Sequence, residues 1–556
     1  MSESDQDLQA GRREARKGSV RRTTVTIIAV VVLWLALVSP GQYSAWGIQD
    51  FLRLPLEALA LGVVALFLPR RVMRVVALVF GVLLAAIVLL RGLNLGFRGV
   101  LTRPFDIVDD WSYLRDGAES LATIAGPVVA VLAVAAAIAV TVGIFVLVPW
   151  ASMRVADAVG RQRARAVPVL ATLVAGWVIL AATGVGWPHG YYTAVLASDA
   201  TARMAWETAQ VAPDDLADRA TFAREIHTDP AATVPASSLV AGLAGKDVLL
   251  VFVESYGRVA LDDPQLAPTV RSTLTTSDKQ LSAAGFSARS AWVDSPTFGG
   301  GSWLAHSTVE AGLWANNQRR YDQLLAAHRI TLSSAFGDAG WRTVFDVPST
   351  DRPWQQGEPF YGYDTLYTKL NVGYHGKQYG YATMPDQFIY HAFAQRELSP
   401  GHRKPVYAEI DSLSSHFPWT QPPPLVPWNT IGDGSEFAGP VASTASPRVI
   451  YARTVAYAMQ SLTQFVTNSH DPNLVVLAMG DHQPNSSVTR PGASHQTPVM
   501  LITQDKAALD AAGTWGWNSG LEPASDAPVW PMSAVRDNLF SAFGTSQAHA
   551  AVTGAH

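Results

Sequence analysis

Hydrophobic positions along the chain fall into two regimes. Up to residue 188 they come in long runs; beyond residue 246 they come in runs of five or six, separated by turn residues and helical patterns. The stretches 23–38, 54–68, 72–90, 121–149 and 166–187 each approach the ~20 residues needed to cross a hydrocarbon core. They predict an N-terminal bundle of five transmembrane helices over 23–188, its second member interrupted at the start by Pro55 and Glu57. Because four more runs follow the first, a cleaved signal peptide is the poorer reading of residues 1–38.

In the second regime, six runs read as strands: 248–253, 287–293, 343–347, 406–410, 474–479 and 499–503. Between them lie helical patterns, the clearest at 447–467, where Val449, Tyr451, Val455, Met459, Leu462 and Phe465 recur at helical spacing. Strands alternating with helices predict an α/β domain with a mostly parallel sheet flanked by helices. The expected organisation is a basic tail (1–22), the bundle (23–188), a juxtamembrane helix and loose linker (189–245), the α/β domain (246–546) and a short tail (547–556).

Charge refines this picture. Of the residues, 49% are hydrophobic and only 15% charged, and the net charge of -4 gives no support for a nucleic-acid partner. The chain has no cysteine, which removes disulfides, thiolate nucleophiles and cysteine-ligated zinc. Arginines crowd the N-terminal tail, the turn at Arg70, Arg71 and Arg74, and the segment with Arg154, Arg161, Arg163 and Arg165. Basic loops stay in the cytoplasm, so five crossings would leave everything after Pro188 outside. Glu57 reads as solvated at the outer interface, and the 91–118 segment as a long connection at the membrane surface.

The candidate chemistry sits at strand ends, where open α/β sheets place their working residues. The run 248–253 ends in Glu254, followed by Ser255, Tyr256 and Gly257; the run 474–479 ends in Gly480, Asp481 and His482. An Asp-His pair after a strand is by itself an ordinary turn. A matching glutamate after another buried strand points instead to a shared divalent-cation site completed by a hydroxyl oxygen. Three glycines, 299–301, precede Ser302 where a helical pattern begins. A hydroxyl there could attack phosphorus or sulfur while backbone amides hold the anionic oxygens. Serine is also a preferred helix cap, and Thr297 is the competing hydroxyl. His416 lies at a strand-to-loop boundary. Arg352, beside Asp351, suits either a phosphate or a surface ion pair. His306 and His495, as lone histidines, read first as structural.

VFVES, PTFGGGS, DRPW, SSHFPW, MGDH and HQTPVM follow one another in this order. The set resembles the sulfatase-like branch of the alkaline phosphatase superfamily, and most of all its membrane-anchored lipoteichoic acid synthase group and the related phosphoethanolamine transferases. The resemblance covers about 246–546. It implies one divalent metal (manganese foremost, then zinc or magnesium) and a covalent phospho-enzyme intermediate on a threonine. It makes Glu254, Asp481 and His482 metal ligands together with the nucleophile. It puts His416 on the transferred phosphate and Arg352 and Trp354 among the substrate contacts; His495, directly before the last candidate strand, is a further candidate contact. The family's threonine follows a Gly-x-Gly-Lys run; here Ser302 follows Gly-Gly-Gly, and Thr297 keeps the residue type five positions earlier. No Cys-x-Pro-x-Arg occurs, which argues against a formylglycine sulfatase.

The expectation is a multi-pass plasma-membrane enzyme with its catalytic domain outside. It would move a phospholipid-derived head group, such as glycerophosphate or phosphoethanolamine, to a glycolipid or envelope polymer. The rivals are an extracytoplasmic phosphodiesterase or sulfatase-type hydrolase, and an inactive envelope scaffold with the same fold.

Overall fold

The computed structural model describes residues 3–39, 51–101, 103–189, 192–350, 357–490 and 492–553. They divide into two units, Met1–Gly99 with Arg103–Asp215, and Val100–Thr102 with Leu216–His556.

The first unit is helical: α1 (Glu3–Val38), α2 (Leu56–Phe67), α3 (Arg70–Val100), α4 (Trp111–Ala125), α5 (Pro127–Arg161) and α6 (Arg163–Thr183), followed by the start of α7 (Ala200–His227). Among the described residues, four helices are long and apolar enough to cross a membrane: Val20–Val38, Arg70–Val100, Pro127–Arg161 and Arg163–Thr183. The expected second span is not one of them. At 12 residues α2 rises about 18 Å, short of a ~30 Å hydrocarbon core. Pro55 and Glu57 cut the apolar run before it reaches spanning length. Glu57 Oε1 accepts the Ala202 N–H at 2.8 Å in the first turn of α7, where a carboxylate favours a helix N-terminus. The first part of the 91–118 segment is no loop, because α3 continues through it. Arg91, buried on α3, donates to the Ala36 and Leu37 carbonyls at 2.9 and 3.1 Å, satisfying acceptors that the end of α1 leaves open. Gly81 lets α3 approach α5: a Cβ there would stand 2.4 Å from Pro149 Cα.

The second unit is built on a nine-stranded sheet. In chain order the strands are β1 (Asp247–Val253), β2 (Ser287–Asp294), β3 (Arg342–Asp346), β4 (Thr365–Tyr367), β5 (Val406–Ser412), β6 (Leu474–Gly480), β7 (Gln496–Thr503), β8 (Asn518–Ser519) and β9 (Val529–Pro531). The spatial order is β8-β2-β7-β6-β1-β5-β3-β4, with β9 on β2. All six expected strands are present, but the sheet is mixed. β6, β1, β5, β3 and β4 run parallel, whereas β7 is antiparallel to both β6 and β2. The cause lies in 481–495. Its described residues hold no helix, and a parallel return needs a crossover that such a connection cannot supply.

The central strand β1 is buried along its whole length, as its unbroken apolar run implies. Leu249, Val251 and Val253 face one core, shared with α8 (Ala267–Ala283) and α10 (Pro447–Ser469). Val248, Leu250 and Phe252 face the other, shared with α9 (Ser302–Ala311) and α11 (Val535–Phe543). α9 therefore packs beside the carboxyl ends of the parallel strands. Asp229, within the expected loose linker, belongs to this unit: Arg536, which is 0% exposed, holds both its oxygens at 3.0 Å.

Candidate metal centre and nucleophile

Adjacent parallel strands β1 and β6 end in register, Gly480 opposite Val253, so the residues after them project from one sheet edge. Glu254, Asp481 and His482 meet there, each buried, with one ligand atom apiece lying within 4.8 Å of the others. His482 Nε2 is 3.4 Å from Glu254 Oε1 and 3.5 Å from Asp481 Oδ2. Ser302 brings the fourth donor from α9: its Oγ donates to Glu254 Oε2 at 3.0 Å and lies 3.3 Å from His482 Nε2.

These donors fit a divalent cation. Donors sharing one cation at about 2.1 Å stand roughly 3 to 3.5 Å apart, the spacing seen in all four contacts. The His482 tautomer agrees. Its Nδ1 lies 2.8 Å from the Gln483 carbonyl, so Nδ1 carries the hydrogen and Nε2 turns a lone pair toward the carboxylates. Asp481 Oδ2 is buried without a hydrogen-bond partner among the described residues. Burial and the Glu254 charge push the Asp481 carboxyl up to about 6, with His482 opposing. Burial alone would lower the His482 imidazole, but the Asp481 and Glu254 charges outweigh it and raise it. Such a site attracts positive charge.

A second layer holds the ligands. Ser255 N donates to Asp481 Oδ1 at 2.7 Å and Ser255 Oγ to Glu254 Oε1 at 2.8 Å. To do both, Ser255 takes a φ of 56°, a strained conformation for a side-chain-bearing residue. Ser295 Oγ donates to the Asp481 carbonyl at 2.6 Å, and Ser415 Oγ to the Glu254 carbonyl at 2.5 Å. The sequence reading missed all three serines. Their signal was faint: Ser255 directly follows Glu254, while Ser295 and Ser415 are hydroxyls just past the ends of β2 and β5.

The turn before Ser302 requires its glycines, since Gly299, Gly300 and Gly301 have φ of 72°, 151° and 80°. Gly301 is the residue before the helix and Ser302 its first position. Ser302 is thus not the cap, and its hydroxyl is free to join the cluster. The first-turn N–H groups of α9 face the same end. Thr297 points elsewhere, its Oγ1 donating to the Gly300 carbonyl.

Of the remaining candidates, His416 stacks on Tyr381 with ring centroids 3.8 Å apart and contacts the Phe417 carbonyl through Nδ1. Burial lowers its imidazole to about 4, helped by the His482 charge, so it is neutral at neutral pH. His495 stands behind the cluster, its Nδ1 3.1 Å from the Ser295 carbonyl. Arg352 and Trp354 lie outside the described residues.

No protein-family description and no curated protein matches the chain in sequence. Solved structures do. One is the lipoteichoic acid synthase of Listeria monocytogenes, 15% identical over 56% of this chain and 77% of that one, with a TM-score of 0.36. Another is an alkaline phosphatase superfamily protein from Vibrio parahaemolyticus, 14% identical over 54% and 67%, with a TM-score of 0.37. A third is the Streptococcus pyogenes phosphoglycerol transferase in complex with sn-glycerol-1-phosphate, 14% identical over 60% and 84%, with a TM-score of 0.36.

Proposed function

We propose that the chain is a membrane-anchored phosphotransferase that moves a phospholipid-derived head group to a cell-envelope acceptor through a covalent intermediate on Ser302. The observation that carries this reading is the Ser302 hydroxyl held between Glu254 and His482 at the N-terminus of α9. Glu254, Asp481, His482 and Ser302 are the residues that would hold a divalent cation, with manganese foremost and zinc or magnesium as alternatives. When bound, it lowers the pKa of a serine hydroxyl and draws charge from phosphoryl oxygens.

The chain's own groups then divide the work. Glu254 Oε2, already accepting from Ser302 Oγ, takes its proton as Oγ attacks phosphorus. The new Oγ–P bond forms, the bond from phosphorus to the diacylglycerol oxygen breaks, and that oxygen leaves as an alcohol with a proton drawn from water. First-turn amides of α9 hold the phosphoryl oxygens. His416, neutral and with Nδ1 occupied by a carbonyl, presents Nε2 as the base for the acceptor hydroxyl. That hydroxyl, on a glycolipid or envelope polymer, gives its proton to His416 and attacks phosphorus in turn; the Oγ–P bond breaks, and Ser302 Oγ recovers its proton from Glu254. Positioning and charge neutralisation are what phosphoryl transfer demands of a protein.

Mass spectrometry of the protein after exposure to a phosphatidylglycerol and phosphatidylethanolamine mixture tests this reading. A glycerophosphoryl or phosphoethanolamine adduct on Ser302 is expected. An adduct on Thr297 would reassign the nucleophile. Release of a free head group without transfer would make the protein a phosphodiesterase. No adduct, no release and no metal uptake would leave an envelope scaffold.

A further inference from the structure

One turn beyond Ser302, α9 carries His306, and a second group of ligand-type side chains converges on it. His306 Nδ1 is 3.1 Å from Glu409 Oε1 and 3.5 Å from Asp411 Oδ1. One ligand atom from each of the three lies within 4.8 Å of the other two. Glu409 and Asp411 are alternate residues of β5, opposite Leu250 and Phe252 of β1, so both point to the face that α9 covers. Phe252 stacks on the imidazole, ring centroids 3.9 Å apart and planes 12° from parallel, which fixes its orientation.

Packing alone does not explain this group. His306 is 8% exposed and Glu409 1%, where a core would ordinarily place apolar side chains. His306 Nε2, Glu409 Oε2 and Asp411 Oδ1 are buried without a hydrogen-bond partner among the described residues. The neighbouring carboxylate, Glu310, accepts from Tyr407 Oη at 2.6 Å and from Ser333 N at 2.9 Å, and it also shares a side-chain hydrogen bond with Glu409. Two carboxylates facing one imidazole, with oxygens left over, form a charge arrangement that costs free energy unless positive charge lies between them. Their donor spacing, like that of the first cluster, suits donors at about 2.1 Å from a shared cation.

We propose that His306, Glu409 and Asp411 form a second divalent-cation site, separate from the Glu254–Asp481–His482 cluster. One imidazole and two carboxylates suit zinc or manganese. Both clusters hold α9, at Ser302 and at His306, so an ion at the second site anchors the helix that presents the hydroxyl. The proposal does not require the transferase reading, since it concerns binding alone.

The test is metal binding by the full-length protein in detergent, stripped with chelator and then titrated with MnCl2 or ZnCl2. Calorimetry and elemental analysis should give two ions per chain. Glu409→Gln and Asp411→Asn should each give one, with the first cluster still loaded, and Asp481→Asn should also give one. One ion per chain in the wild type, kept in Glu409→Gln and lost in Asp481→Asn, overturns the second site and leaves the first intact. Two ions in Asp481→Asn, and one in Glu409→Gln, would strike the first site instead. If either β5 variant fails to fold, anomalous scattering from wild-type crystals soaked in zinc decides. A peak among His306, Glu409 and Asp411 upholds the proposal, and its absence with the first site loaded refutes it.

Discussion

Ser302 and Glu254 stand 48 positions apart in the chain, yet their side chains meet at 3.0 Å. The hydroxyl arrives on the first turn of a helix and the carboxylate at the end of a central strand. Ser302→Ala should therefore lower transfer by at least ~10³-fold with the fold intact. Thr297→Ala should cost about tenfold or less, because its hydroxyl steadies the glycine turn rather than the cluster. Turnover of labelled phospholipid and the melting temperature of each variant check both expectations.

Asp481→Ala should remove the first-site cation, and Ser255→Ala should weaken its binding by about tenfold, the scale expected when a ligand loses the group that orients it. Manganese titration of each variant reads both effects. Wild-type affinity in Ser255→Ala would show that the Ser255 hydroxyl has no part in holding Glu254.

Asp346, at the end of β3, offers a pH test away from the cluster. It is 0% exposed, and both its oxygens lack hydrogen-bond partners among the described residues. Burial pushes its carboxyl up to about 8, against Arg396 and with Glu397. The native state thus keeps a proton that the unfolded chain releases near pH 4. Its contribution to stability is whole at acid pH and lost as pH rises toward about 8, by up to about 1.4 kcal/mol per pH unit. Asp346→Asn should flatten the fall in melting temperature between pH 5 and pH 8. An unchanged slope would show that Asp346 is not the proton holder.

The chain's lack of cysteine makes its topology directly readable. With Ser4→Cys or Ser546→Cys as the sole thiol, a membrane-impermeant maleimide applied from outside should label Ser546→Cys and not Ser4→Cys. Four long helices alone would put both ends on one side, so this outcome requires one further crossing besides them. Labelling of neither variant would put the second unit on the side of the N-terminal tail and end the envelope reading.

Much of this architecture was legible in the sequence. Six short runs marked the strands, and Glu254 and Asp481-His482, at the ends of the two wholly apolar runs, marked the cluster. The antiparallel arm was not legible. It follows from a connection at 481–495 too irregular to hold a crossover helix, and apolar periodicity says nothing of strand direction. The shortness of α2 was visible only as Pro55 and Glu57 at the head of an otherwise sufficient run. The His306 cluster was hidden by scale. His306 alone reads as structural, and only the alternation of Tyr407, Glu409 and Asp411 along one strand face set acids where a core should be.

The Asp229–Arg536 pair bears on how the second unit can be cut free. A soluble fragment begun at Lys246, where the recognisable motifs start, would discard Asp229 and leave a guanidinium sealed in the interior, with Asp537 and the Ile330 carbonyl beside it. Stranding a buried charge in this way typically costs about 3 to 5 kcal/mol, a large part of what holds a domain folded. A fragment begun near Leu216 keeps the buckle closed.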